Sequence, residues 1–115
     1  MPATFAPPEI GIEPGKKAAG EDHLTPLYNV VLLDDDEHTY DYVMEMLTKL
    51  FLKSPTEAFR HAVEVDATGR TIIITCELPQ AEFGRDQIHG YGADPRMPKS
   101  KGSMSAVIEP ASSGG

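Results

Sequence analysis

Apolar and polar positions along this chain change period several times, and each change marks an element. Leu27-Tyr28-Asn29-Val30-Val31-Leu32-Leu33 alternates poorly and is rich in Val and Leu, which predicts a strand buried on nearly both faces. Val43, Met46, Leu47 and Leu50 then recur at i, i+3, i+4 and i+7. They form the apolar stripe of a helix that runs through Leu52 and is capped by Thr39, with Asp41 in its first turn. Ser54-Pro55-Thr56-Glu57 opens a second helix with a capping residue, a proline at the first helical position and a glutamate three residues after the cap. Its inward side is read as Phe59, Ala62 and Val63, and Gly69 stops it.

The period returns to that of a strand at Arg70–Glu77, dense in β-branched residues. Pro79 fits the first turn of a third helix that runs to about His89, with Gly84 weakening its interior by on the order of 1 kcal/mol relative to Ala. Gly90, Gly92, Pro95 and Pro98 mark a loop, and Ser103–Glu109 reads as a last strand. The order is βααβαβ. It predicts an α/β (α+β) layer sandwich in which a small three-stranded sheet is packed by three helices.

Composition sets the limits of this domain. Residues 1–26 hold five Pro and three Gly without apolar periodicity, so residues 1–25 are expected to be a flexible N-terminal arm. Residues 111–115 are read as a disordered tail, leaving one folded domain at 26–110. A net charge of −8 and the lack of a basic stripe argue against nucleic acid as a partner. The single cysteine, Cys76, lies in an apolar strand and suits a reducing compartment. No apolar run reaches membrane-spanning length, so a cytoplasmic monomer without membrane attachment is expected.

Between Asp34 and Glu45 stand six carboxylates and no Lys or Arg, directly after the first strand. Asp34, Asp36, His38 and Glu45 occupy positions 1, 3, 5 and 12 of a calcium loop. Thr39, however, stands where that loop needs Gly, and a strand precedes it where a helix is required. A transition-metal site at His38 with Asp34 or Asp36 lacks the three or four converging ligands such sites use. His38 is read as an exposed bystander, and His61 and His89 as surface residues. No phosphate loop, nucleophile arrangement or paired-cysteine motif is present, so neither catalysis nor a metal or other cofactor is expected.

Two readings of the acidic run remain: a solvated face, or a site for a cation with an apolar neighbour. Clustered like charges raise one another's pKa and repel, which a bound cation relieves. An N-terminal amine followed by a large hydrophobic side chain is such a cation.

Tyr28-Asn29-Val30-Val31-Leu32-Leu33-Asp34-Asp35-Asp36, then Thr39, Tyr42-Val43 and Leu47-x-Lys49-x-Phe51, resembles the ClpS family, adaptors of the ATP-dependent Clp protease. Glu57-Ala58 and Val65-x-x-x-Gly69-Arg70 continue the likeness, which covers about residues 26–110 and is looser near 92–102. The resemblance implies a protein that binds the free α-amino group and bulky first side chain of N-degron substrates. It then delivers them to the N-terminal domain of a ClpA- or ClpC-type unfoldase, and the N-terminal arm is the segment the unfoldase engages.

By that likeness Asp34 (where the family commonly has Asn), Asp35 and Asp66 (where it has His) face the amine. Tyr40 (in place of Met), Val43, Ala62 and Met104 line the side-chain pocket. Asp36 and Thr39 shape the loop, and Glu82 and Arg85 meet the unfoldase, with Phe83 and Gly84 departing from the family pattern. Asp66, Ala62 and Gly84 support an alternative, a docking module of this fold that modulates the unfoldase without reading N-termini. A metal-dependent enzyme is the third reading.

Overall fold

The computed structural model describes residues 25–111, so the expected arm and tail lie outside the described residues except for Thr25 and Ala111. The elements are β1 Leu27–Leu33, α1 Tyr40–Phe51, α2 Pro55–Thr68, β2 Arg70–Glu77, α3 Leu78–His89 and β3 Ala106–Pro110, in the expected βααβαβ order. The sheet runs β2-β1-β3 with both pairings antiparallel, an α+β arrangement with three helices.

Strand β1 is central in the sheet and carries four consecutive buried residues, Asn29, Val30, Val31 and Leu32, three of them apolar. Val30 and Leu32 face the helices and join Met46, Leu47, Ile73 and Ile88 in the core. The register pairs Leu33 with Arg70 and Leu27 with Glu77, broken by a bulge between Val30 and Val31. The end of β1 is therefore delivered beside the start of β2 and the close of α2.

Both predicted caps are formed. The Thr39 hydroxyl accepts from Tyr42 N at 3.1 Å and the Ser54 hydroxyl from Glu57 N at 3.1 Å. Gly69 closes α2 at φ 90°, a conformation that side chains with a Cβ rarely adopt. The stripe of α1 ends before Leu52, which is a left-handed cap exposed to 87%.

Three expectations about faces are corrected. Phe59 and Val63 point outward, and α2 buries Ala58, His61 and Val65 beside the expected Ala62. His61 enters the core because its Nδ1 lies 2.8 Å from the Thr71 hydroxyl, which in turn donates to Glu64. Gly84 does more than weaken α3, since a Cβ there would stand 3.2 Å from the Phe51 ring; its absence lets α3 close against α1. The last strand begins at Ala106 and not Ser103, although Leu33 N already donates to Ser105 O at 3.0 Å.

No helix among the described residues is long and apolar enough to cross a membrane.

Candidate functional site

The site forms where β1 ends. Asp34 N donates to the Gly69 carbonyl at 3.0 Å, which fixes the first acidic residue against the last turn of α2. Asp66 sits on that turn. Two carboxylates 32 positions apart in sequence are thereby made neighbours.

Burial pushes the Asp34 carboxyl above its ordinary value, and the Asp66 charge adds to the effect. The backbone N–H of Asp35 opposes them, while the Asp35 and Asp36 charges contribute in the same direction as Asp66.

Asp35 turns the chain. Its Oδ1 accepts from Glu37 N at 2.9 Å, and His38 Nδ1 lies 2.8 and 3.0 Å from its two oxygens. The other His38 nitrogen is 2.7 Å from the Gly102 carbonyl, and the imidazole sits 4.4 Å from the Tyr42 ring. Asp35 and Gly102 face the two ring nitrogens from opposite sides, and the Ser100 hydroxyl lies 3.2 Å from Nε2.

His38 is thus corrected from an exposed bystander to a side chain only 2% exposed that ties the acidic loop to the loop after α3. Asp36, expected to shape the loop, is instead largely in solvent, 3.4 Å from Lys99; the shaping contacts belong to Asp35. An exposed pair of that kind contributes about 0–1 kcal/mol.

Thr39 is held from two sides. Beyond capping α1, its N–H and hydroxyl donate to Asp94 Oδ2 at 2.7 and 2.8 Å. Asp94 is 1% exposed and also accepts from Arg96 N at 2.9 Å and Arg96 Nη1 at 3.2 Å, while Arg96 reaches across to Glu45. Burial acts to raise the Asp94 carboxyl, but these backbone and side-chain donors outweigh it and hold the group below its ordinary value.

Tyr40 opens α1 with its ring over the site. Its hydroxyl donates to Asp66 Oδ2 at 2.7 Å, and its ring meets Phe59 edge-on at 6.1 Å between centroids. That bond is the main cause holding the phenol above its ordinary pKa, with burial and the Asp66 and Asp34 charges behind it.

Asp34, Asp35, Tyr40, Val43, Ala62, Asp66 and Met104 all border one recess of about 50 Å3, joined by His38, Thr39 and Val65. Its acidic rim stands over an apolar floor of Val43, Ala62, Val65 and Met104, each at most 4% exposed. Such a surface is suited to a cation with an apolar group attached. Val65 and His38 were not expected at the site; Val65 follows Ala58 and Ala62 on the buried face of α2, a spacing that identifies it.

Glu82 and Arg85 lie apart from the recess on α3, with Phe83 exposed between them and Arg85 paired to Asp86 at 3.0 Å. Among the described residues no group of three or more His, Cys, Asp or Glu is placed to hold a metal ion.

The family model described as ATP-dependent Clp protease adaptor protein ClpS matches residues 23–98. The ClpS adapter protein of Acetivibrio thermocellus is 36% identical over 96 residues, which span 83% of this chain and 92% of that protein. The ClpS adapter of Gloeobacter violaceus is 35% identical over 67 residues, 57% of this chain and 72% of its own length. Among solved structures, Agrobacterium tumefaciens ClpS2 bound to L-phenylalaninamide is similar with a TM-score of 0.65 and 24% identity. It covers 76% of this chain and 99% of that one, a likeness of fold.

Proposed function

The chain belongs to the ClpS family of ATP-dependent Clp protease adaptors, and from that premise we propose that it binds the free α-amino group and bulky hydrophobic first residue of N-degron substrates. ClpS adaptors are not enzymes, and the recess offers recognition rather than chemistry. The observation that carries the reading is the convergence of Asp34, Asp35 and Asp66 above the apolar floor of Val43, Ala62, Val65 and Met104. Agrobacterium ClpS2 was solved with a ligand that joins a free amine to an aromatic side chain, and this supports the same assignment.

An ammonium has three donors and no acceptor, so it matches the rim carboxylates and relieves the repulsion between Asp34 and Asp66. Hydrogen bonds to charged groups contribute about 1.5–3 kcal/mol each. Burial of a Leu or Phe side chain adds about 1.5–3 kcal/mol. Against an association cost of at least about 4 kcal/mol, the surplus gives micromolar or weaker binding, which suits an adaptor that must release its cargo.

Delivery is to a Clp unfoldase of the ClpA or ClpC type in the cytoplasm, with Glu82 and Arg85 on the outer face of α3 as the proposed contact.

Fluorescence anisotropy with peptides that begin with Leu, Phe, Tyr or Trp tests the reading. Free amines should bind and acetylated ones should not. The small recess favours a second reading, a docking module that does not read N-termini. It is adopted if free and acetylated peptides behave alike.

A further inference from the structure

We propose that Tyr40 and Asp66 form a latch across the mouth of the recess, which a bulky first side chain must break in order to enter. This rests on the N-terminus-binding reading above and adds to it a determinant of specificity.

The observation is one of size. The recess holds about 50 Å3. On the same measure about 10–15 Å3 suffices for one water molecule, and a protein cavity that accepts benzene measures about 150 Å3. As it stands, the recess takes the side chain of a small residue and excludes a Phe ring.

Its floor cannot yield cheaply, because Val43, Ala62, Val65 and Met104 are packed in the core. Tyr40 is different. It lies at the first position of α1, is 39% exposed, and is held over the recess by its bond to Asp66 and by the edge of Phe59, itself 51% exposed. It is the wall that can swing out.

The latch links the two halves of the ligand. While it is shut, Asp66 Oδ2 accepts from the phenol. Moving the ring aside frees that oxygen just where the ammonium arrives, and a charged donor replaces a neutral one. A bulky side chain without a free amine opens the latch with no such replacement. A free amine on a small residue reaches Asp34 without opening it. Size and charge are thus read together.

Tyr40→Phe removes the hydroxyl and keeps the ring, and at an exposed helix start it leaves the fold intact, as a thermal melt will verify. Affinities are measured for wild type and variant with peptides that begin with Phe or Ala, each free and acetylated. The latch predicts that Tyr40→Phe raises affinity for the free Phe peptide about three- to tenfold while changing the Ala peptide by less than about twofold. Asp66→Asn should weaken the free Phe peptide more than the free Ala peptide.

An equal change for Phe and Ala, or a loss confined to Phe, overturns the latch while leaving the N-terminus reading in place whenever free peptides still outbind acetylated ones. If that preference is missing in both proteins, the N-terminus reading fails and the latch with it.

Discussion

Asp34 is pulled in two directions. Its carboxyl is raised by burial and by Asp66, so the folded, empty protein holds that proton more tightly than the unfolded chain. The corresponding stability is present below the unfolded value of about 3.9 and is lost as pH rises through the raised folded value. Binding an ammonium requires the opposite, ionised form. Asp34→Asn should therefore raise the melting temperature of the empty protein at pH 7, and weaken a free-amine peptide by only about threefold to fivefold, because the amide oxygen still accepts and the bond merely loses its charge. Paired melts and anisotropy titrations check this. Wild-type affinity should decline as pH falls through the raised Asp34 value, and again as it rises past the α-amine near about 7.7–8.0. The acidic run that looked in sequence like one undivided patch separates into unequal members: Asp34 at the rim, Asp35 in the turn, Asp36 in solvent. Only the first two have partners that fix their position in the backbone, and those partners are too local or too remote to stand out in a string of like charges.

At the scale of elements, the site depends on the joint between α2 and β2. Gly69 supplies both the left-handed stop of the helix and the carbonyl that receives Asp34 N. A Cβ there would meet nothing within 4 Å, so the cost of Gly69→Ala is conformational alone, about 1–2 kcal/mol. That loss, read in urea unfolding, should be accompanied by weaker peptide binding, because Asp34 and Asp66 lose their common anchor. The joint was legible in sequence, as were β1, the caps at Thr39 and Ser54 and the start of α3, since each rests on a residue type with one strong local preference. The phase of α2 was not. Phe59 and Val63 carry the larger apolar signal, yet the buried face is set by Ala58, Ala62 and Val65, where small residues let the helix approach. His61 follows them inward because Thr71, on the neighbouring strand, satisfies one ring nitrogen. Burial lowers its pKa, with Arg60 and Lys53 adding to that.

For the whole molecule, the loop after α3 is what closes the site from behind. Tyr42 reaches Gly92, Thr39 reaches Asp94, and His38 reaches Gly102, so the loop is fastened at three points to the start of α1. These partners are 50 to 64 residues apart, and no local pattern announces them. Asp94 is the central fastening. Asp94→Ala should cost about 2–4 kcal/mol by leaving buried donors without acceptors, measured by chemical unfolding. Its lowered pKa gives a stability contribution present above about pH 3.9 and lost as pH falls through the lowered folded value, a dependence the variant should lack. In the proposed function the recess between β1 and α2 receives a free N-terminal amine with its first side chain. The most direct measurement is a titration of isotopically labelled protein, followed by nuclear magnetic resonance, with L-phenylalaninamide and with its N-acetyl derivative. The free amine should shift the amide signals of Asp34, Asp35, Tyr40, Asp66 and Met104 together while the acetylated compound leaves them in place. Equal shifts with both compounds, or shifts that avoid these residues, would contradict it.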